Sequence, residues 1–231
     1  MFTLLSLQAD SLTATTSTAV IENVAPNTEI SVLEFILKGG VFLIPIAILL
    51  FYTFYVIAER YMYIDKASKI DDRLLRDVGE QLQSGNIELA RAIVERSTNA
   101  SSTIIKEGIL VIGRPIAEIE SNMDRAADIE IGQMEKHLGH LGLIAGIAAT
   151  LGLIGTISGV IKIFYSISVT ENISIGNISG GLYEKMISSG AGLIVGIIAY
   201  SAYHLLNGKI DNFALKVQKQ ILEFVNIIQR A

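Results

Sequence analysis

The chain has 231 residues, of which 51% are hydrophobic and only 18% are charged, with a formal net charge of −5 at pH 7. Soluble domains usually carry about 25% charged residues, so this composition favours a membrane protein that keeps a sizeable aqueous part. The negative charge gives no electrostatic support for nucleic-acid binding. The absence of cysteine excludes disulfides, thiol chemistry and cysteine-ligated metals.

Residues 1–40 are interpreted as an N-terminal tail that ends in a short interfacial helix. Residues 1–28 are rich in Ser, Thr and Ala. The apolar start at 1–7 is short and lacks the basic residues of a signal peptide, so a mobile tail is favoured over a cleaved signal. Residues 30–37 are predicted to form an amphipathic helix that stops at a Gly-Gly pair.

Three stretches, 41–58, 141–161 and 186–206, contain no Asp, Glu, Lys or Arg. A helix rises about 1.5 Å per residue, so such lengths match a hydrocarbon core of about 30 Å. We therefore predict three transmembrane helices, at 41–58, 141–164 and 184–206.

Residues 59–140 form the predicted aqueous region. Apolar residues recur at helical spacing in 71–83 and 87–96, and Ser-Gly-Asn at 84–86 separates the two segments. This pattern predicts a small helical hairpin outside the membrane.

A further helical segment is predicted at 103–112. Pro115 suits the first turn of a new helix, and no strong breaker follows, so one uninterrupted helix is predicted from about Pro115 to Phe164. Residues 165–183 are rich in Asn, Ser and Gly and are predicted to be a loop. The amphipathic segment 207–231 is predicted to continue the third span as a solvated helix.

The distribution of cations predicts the topology. Of 18 Lys and Arg residues, 11 lie in 59–140 and four in 207–231, whereas 165–183 has none. The positive-inside rule therefore places 59–140 and the C-terminus in the cytoplasm, with the N-terminus and the 165–183 loop in the periplasm.

Small residues thin one side of the second and third spans. Gly pairs at i, i+4 spacing allow close approach of helix backbones. The residues predicted to pack helices in this way are Gly142, Gly146, Gly155, Gly159, Ser188, Gly192 and Gly196.

Hydroxyl groups within the spans are the candidate functional groups. Thr156 precedes Lys162 by six residues and Ser189 follows Glu184 by five, so the two hydroxyls are predicted at similar depth in the outer half of the membrane. In a ring of copies they would line a central space together with Thr150. Alternatively, these hydroxyls bond only to their own helices.

Glu184 stands at the mouth of the third span. It is either a carboxylate at the entrance of a cation path or a residue favoured there by the helix dipole. His137 and His140 have no cysteine or suitable carboxylate geometry beside them, so no metal site is predicted. No nucleophile–base pair or phosphate-binding loop is present, so neither an enzyme nor a cofactor is predicted.

Four motifs resemble the ExbB/TolQ/MotA proton-channel family, and its ExbB members most closely: KGGVFLIPIAILL, LQSGNIELARAIVER, IAATLGLIGTISGVIKIF and ISGGLYEKMISSGAGLIVGIIAYSAYHLL. By position, Thr156 matches the family's helix-two threonine and Glu184 its helix-three glutamate. Ser189 stands where many members have threonine. Thr150 and Ile198 replace prolines that are common in the family, which implies straighter helices here.

The resemblance implies a fold: an all-α membrane protein with three transmembrane helices, the second and third extended into the cytoplasm, and a small cytoplasmic hairpin. It also implies a homo-pentamer in the bacterial inner membrane around an ExbD-like single-span partner, which carries the protonatable Asp. A TonB-like protein would carry the motion to outer-membrane receptors. A TolQ-like role in envelope constriction and a structural scaffold without ion conduction stay as alternatives.

Overall fold

The computed structural model describes residues 40–170 and 175–230. Within these ranges the chain forms helices and no strand, which confirms the predicted all-α fold. The predicted tail and the interfacial helix at 30–37 lie outside the described residues. In chain order the helices are α1 (Leu43–Ala67), α2 (Asp72–Gln83), α3 (Ile87–Glu95), α4 (Ala100–Leu110), α5 (Ile116–Glu135), α6 (Leu138–Thr170) and α7 (Ile175–Arg230).

Three stretches of this structure are long and apolar enough to cross a membrane: Leu43–Ala67, Ile116–Val169 and Ile178–Gln229. They correspond to α1, to α5 with α6, and to most of α7. The protein is therefore a membrane protein with three candidate spans, as predicted.

The predicted hairpin is formed by α2 and α3. Asp71 caps α2 because its carboxylate accepts a hydrogen bond from the Arg73 amide at 3.0 Å. Gly85 adopts φ +77°, a left-handed conformation that suits glycine, and thereby turns the chain into α3.

The second half of α7 completes an extramembrane bundle with α2, α3, α4 and α5. The predicted helix at 207–231 is continuous with the third span, but it is not solvated all round. Its apolar face is buried in the largest hydrophobic cluster, through Ile210, Phe213, Val217, Ile221 and Phe224. This cluster anchors the end of α7.

The predicted loop at 165–183 is largely helical, which corrects the prediction. α6 continues to Thr170 and α7 begins at Ile175. The two helices still pack on each other here, since a Cβ built on Gly181 would lie 2.9 Å from the side chain of Ile163. Packing thus overrides the weak helix propensity of the Ser, Asn and Gly residues in this segment.

The predicted uninterrupted helix from Pro115 to Phe164 is also wrong, because Lys136 and His137 separate α5 from α6. Lys136 is extended (φ −52°, ψ 134°), and His137 has φ 68°, in the left-handed region. At this break α1 supplies a donor: Arg60 Nη1 donates to the carbonyl of Gln133 at 3.3 Å. In a continuous helix this carbonyl would accept from the His137 amide.

Candidate functional site: the polar and small residues of the membrane helices

The membrane halves of α6 and α7 run antiparallel and touch through their backbones. A Cβ built on Gly152 would lie 3.0 Å from the Ser189 carbonyl oxygen, and one built on Gly192 would lie 3.1 Å from the Gly152 nitrogen. The Cβ of a residue at 192 would also overlap the Ala148 carbonyl. Only glycine permits this approach, so the two helices are held in one register.

The contact extends along the same face in both directions. Toward α6's start, a Cβ built on Gly196 would lie 2.9 Å from the Ala145 carbonyl oxygen. Toward its end, a Cβ on Gly155 would lie 2.9 Å from the Ser188 hydroxyl. A Cβ on Gly159 would overlap the aliphatic part of Lys185.

Gly142 and Gly146, by contrast, do not pack closely against another helix of the same chain. The nearest atoms to a Cβ on Gly142 are those of the Tyr203 ring at 3.9 Å, and a Cβ on Gly146 meets nothing within 4 Å. Both residues are exposed. Their side of α6 is therefore open in the single chain.

Thr156 and Ser189 lie at similar depth. Thr156 is one helical turn beyond Gly152, whose neighbour on α7 is Ser189, and both residues are partly exposed. The Thr156 hydroxyl donates to the Leu153 carbonyl at 2.6 Å. A hydroxyl that donates to its own helix keeps its lone pairs free to accept from water or from a protonated carboxyl group.

Thr150 is exposed on a different side of α6 from the α7 contact. Its hydroxyl lies 3.0 Å from the Gly146 carbonyl and 2.9 Å from that of Ile147. The single chain therefore does not bring Thr150 together with Ser189. Glu184 lies in α7, and its side chain lies outside the described part of the structure.

Ser188 is fully buried between α6 and α7, and within the described residues its hydroxyl has no hydrogen-bond partner. Thr53 of α1 is equally buried and donates to the Leu49 carbonyl at 2.7 Å. The sequence prediction assigned Ser188 to packing, which fits its place over Gly155. It did not single out Thr53, whose only signal was a hydroxyl within an uncharged span.

A second polar cluster lies where α1 passes the α5–α6 break. Arg60 is 6% exposed, and one of its terminal nitrogens also pairs with Glu59. His137 Nδ1 lies 3.7 Å from the other carboxylate oxygen of Glu59. The hydroxyl of Tyr52 lies 2.8 Å from His140 Nδ1. Both histidines are thus engaged with α1.

Sequence reasoning missed Arg60, because a cation directly after an uncharged span is typical of a residue at the membrane interface. Its burial depends on the packing of three helices and has no local signal. Charged residues are almost never fully buried without a partner, and the partners of Arg60 are Glu59 and the Gln133 carbonyl.

Comparison with known proteins places these features in a family. Residues 87–219 match the MotA/TolQ/ExbB proton channel family, and all the predicted pathway residues lie within that range. The chain is 31% identical over 189 residues to a biopolymer transport protein ExbB homolog of Methanothermobacter thermautotrophicus, covering 81% of this chain and 67% of the relative.

Two further relatives are similar to the chain at lower identity. A biopolymer transport ExbB-like protein of Synechocystis is 26% identical over 178 residues, covering 75% of this chain and 70% of the relative. The Tol-Pal system protein TolQ of Haemophilus influenzae is 27% identical over 108 residues, covering 47% of each chain.

Proposed function

Because the chain belongs to the MotA/TolQ/ExbB proton channel family, we propose that it is the ring-forming subunit of an ExbB-like motor driven by the proton-motive force. It would assemble as a homo-pentamer around an ExbD-like single-span protein that carries a membrane Asp. A TonB-like protein would use the motion to energise transport across the outer membrane.

The observation that carries this proposal is the polarity of the α6–α7 pair. Residues 141–161 and 186–203 contain no ionisable side chain other than tyrosine, yet Thr156 lies one helical turn from Gly152, whose neighbour on α7 is Ser189. Hydroxyls can accept hydrogen bonds from a carboxyl group or donate to a carboxylate, but they do not carry the proton's charge themselves. We therefore assign the group that changes charge to the partner.

Thr150 and Glu184 are assigned secondary roles. Thr150 would join the pathway only from the side of α6 that is open in the single chain. Glu184 would attract cations at the outer mouth of α7, as a carboxylate at a membrane pathway does. The cation distribution supports an inner-membrane location with 59–140 and the C-terminus in the cytoplasm and the N-terminus in the periplasm.

Two alternatives have specific support. The similarity to a TolQ protein favours a subunit of a Tol-Pal motor that constricts the envelope. The hydrogen bonds of Thr150 and Thr156 to carbonyls of their own helix favour a structural scaffold in which these hydroxyls have no role in conduction.

The deciding experiment compares Thr156→Val with Thr156→Ser. Valine removes the hydroxyl at nearly the same volume, whereas serine keeps it. The chain is co-reconstituted with its single-span partner in proteoliposomes containing a pH-sensitive dye, and assembly is checked by size-exclusion chromatography. We expect Thr156→Val to abolish proton uptake with assembly intact and Thr156→Ser to retain most of it.

Equal flux in the two assembled variants would contradict the assigned role and support the scaffold. Glu184→Gln is expected to lower proton flux at low proton concentration, because the neutral amide no longer attracts cations. The substitution changes the side-chain volume little. Co-purification with a TonB-like protein, as opposed to a Tol partner, would decide between the ExbB-like and TolQ-like functions.

A further inference from the structure

The break between α5 and α6 leaves one backbone carbonyl with an unusual partner. Lys136 still donates to the Gly132 carbonyl at 3.1 Å, and His140 donates to the His137 carbonyl at 3.1 Å. Within the described residues, no backbone carbonyl accepts from the amides of His137, Leu138 or Gly139. We call Lys136–His137 the joint.

Arg60 replaces the missing amide. In an uninterrupted helix the His137 N–H would donate to the Gln133 carbonyl, and in this structure an Arg60 Nη1 donates to that carbonyl at 3.3 Å. The guanidinium comes from α1, so the substitution is made by a different helix. The Tyr63 hydroxyl of α1 also donates to the side-chain oxygen of Gln133 at 3.2 Å.

The position of the Arg60 side chain is restricted by burial and by an ion pair. Its side chain is 7% exposed, Glu59 pairs with one terminal nitrogen, and the Nε atom is buried without a partner among the described residues. Glu59 in turn contacts His137 at 3.7 Å. The charged groups that face the joint from α1 are therefore Glu59 and Arg60.

The sequence does not require a break at this place. The joint contains neither proline nor glycine, and His137 is the single non-glycine residue with positive φ among residues 40–170 and 175–230. An L-residue other than glycine is disfavoured there about tenfold. A Cβ built on Gly132 or Gly139 meets nothing within 4 Å, so close packing at these two glycines does not enforce the bend. Met134 and Leu138 are buried in the hydrophobic cluster on the two sides of the joint.

We propose that the joint is a two-state element in which Arg60 and the His137 amide compete for the Gln133 carbonyl. With Arg60 in place the helix is broken and His137 is left-handed. When α1 withdraws Arg60, His137 returns to the right-handed conformation, its amide takes the carbonyl, and α5 and α6 become one continuous helix. A displacement of α1 thereby changes the connection between the extramembrane bundle and the second span.

The exchange is a property of the chain whether or not the assembly conducts ions, so its test needs no flux measurement. Amide hydrogen exchange at residues 137–139 reports it directly, because these amides gain carbonyl partners only in the continuous helix. The measurement uses the full-length assembly in nanodiscs, with mass spectrometry resolved to single residues.

Arg60→Met removes the competing donor and keeps the side chain's length, while Arg60→Lys retains a donor. We expect Arg60→Met to slow exchange at 137–139 about tenfold, because the broken state then loses its charged donor to the Gln133 carbonyl whereas the continuous helix loses nothing. Arg60→Lys is expected to stay near the native rate. If Arg60 were only a buttress, its removal would instead speed exchange by local fraying; faster or unchanged exchange in Arg60→Met overturns the proposal.

A second pair of variants decides the matter if Arg60→Met does not assemble. His137→Gly permits the left-handed conformation at no cost and is expected to keep the amides fast. His137→Ala favours the right-handed helix and is expected to slow exchange at Leu138 and Gly139 about tenfold relative to His137→Gly. Indistinguishable rates in these two variants would overturn the proposal.

Discussion

Among the glycines of α6 and α7, Gly192 approaches the backbone of the other helix most closely, and Gly192→Ala tests whether this contact holds the pair together. The added Cβ would overlap the Ala148 carbonyl and lie 3.0 Å from the Cα of Gly152. Carbon atoms normally pack at about 3.5–4.0 Å, so the helices would have to separate by about 0.5–1 Å. The atoms that must move are backbone atoms, which cannot rotate away as a side chain can.

The expected cost is about 1–3 kcal/mol, the usual penalty of overpacking. Alanine also has a helix propensity up to about 1 kcal/mol more favourable than that of glycine. Gly190→Ala is the matched control for this term, because a Cβ at 190 meets nothing within 4 Å. We therefore expect Gly192→Ala to be less stable than Gly190→Ala by about 2 kcal/mol. In a chain of this size that corresponds to about 4–8 °C in melting temperature.

The assay is loss of helical circular dichroism on heating the purified protein in nanodiscs, with the oligomeric state checked before each melt. A melting temperature of Gly192→Ala equal to or above that of Gly190→Ala would refute the backbone contact. Recovery of stability on changing the side chain at Ala148 or Gly152 is not expected, since the clashing atoms are the Ala148 carbonyl oxygen and the Gly152 Cα, which every substitution retains.

Three further predictions concern the extramembrane bundle. Phe224→Ala, at a fully buried site, should destabilise the bundle by about 3–5 kcal/mol, as measured by chemical denaturation of the full chain; a loss below 1 kcal/mol would contradict the assigned core. Ser101→Ala should lower the free energy of unfolding by about 1–3 kcal/mol, because it removes the 2.6 Å hydrogen bond to the buried Gln220 side chain. Adding Gln220→Leu in a double-mutant cycle should recover part of this loss. Arg91 and Lys106 lower the pKa of Glu95, so its carboxylate stabilises the fold at pH values above its ordinary pKa of 4.5, and this contribution is lost as the pH falls. Glu95→Gln should therefore reduce the drop in melting temperature on acidification. An unchanged drop would show that the exposed pairs contribute nothing.

The helices of the bundle could be predicted because their signals are local. Asp71 precedes an apolar pattern of helical period and caps it, and Gly85 lies where the hairpin requires positive φ. A reader of the sequence can place both residues without knowing what surrounds them.

The glycine contacts were only half predictable. Spacing alone marks Gly142 and Gly146 as strongly as Gly155 and Gly159, yet only the second pair meets α7 closely in the chain. Gly152, which fills the centre of the contact, has no i, i+4 glycine partner on its own helix. Which face of a small-residue helix meets a neighbour depends on the rotation of both helices, and periodicity does not contain that information.

The break at Lys136–His137 was not predictable from local residues. The guanidinium that bonds to the chain at this break comes from 73 residues earlier, and the flanking Gly132 and Gly139 weaken the helix only modestly. The loop predicted at 165–183 was wrong for a similar reason, because contacts between α6 and α7 outweigh a sequence that favours turns by itself.

The unbroken course of α7 has a mechanical consequence. Its 56 residues span about 84 Å at 1.5 Å per residue, and it is locked by backbone contact at one end and by Phe224 and its neighbours at the other. Over its described length α7 is one continuous helix, whereas the neighbouring α5 and α6 are separated at Lys136–His137. We expect a displacement at one end of α7 to be carried along its length, and a bend in the neighbouring α5–α6 segment to fall at Lys136–His137, where α1 packs against it.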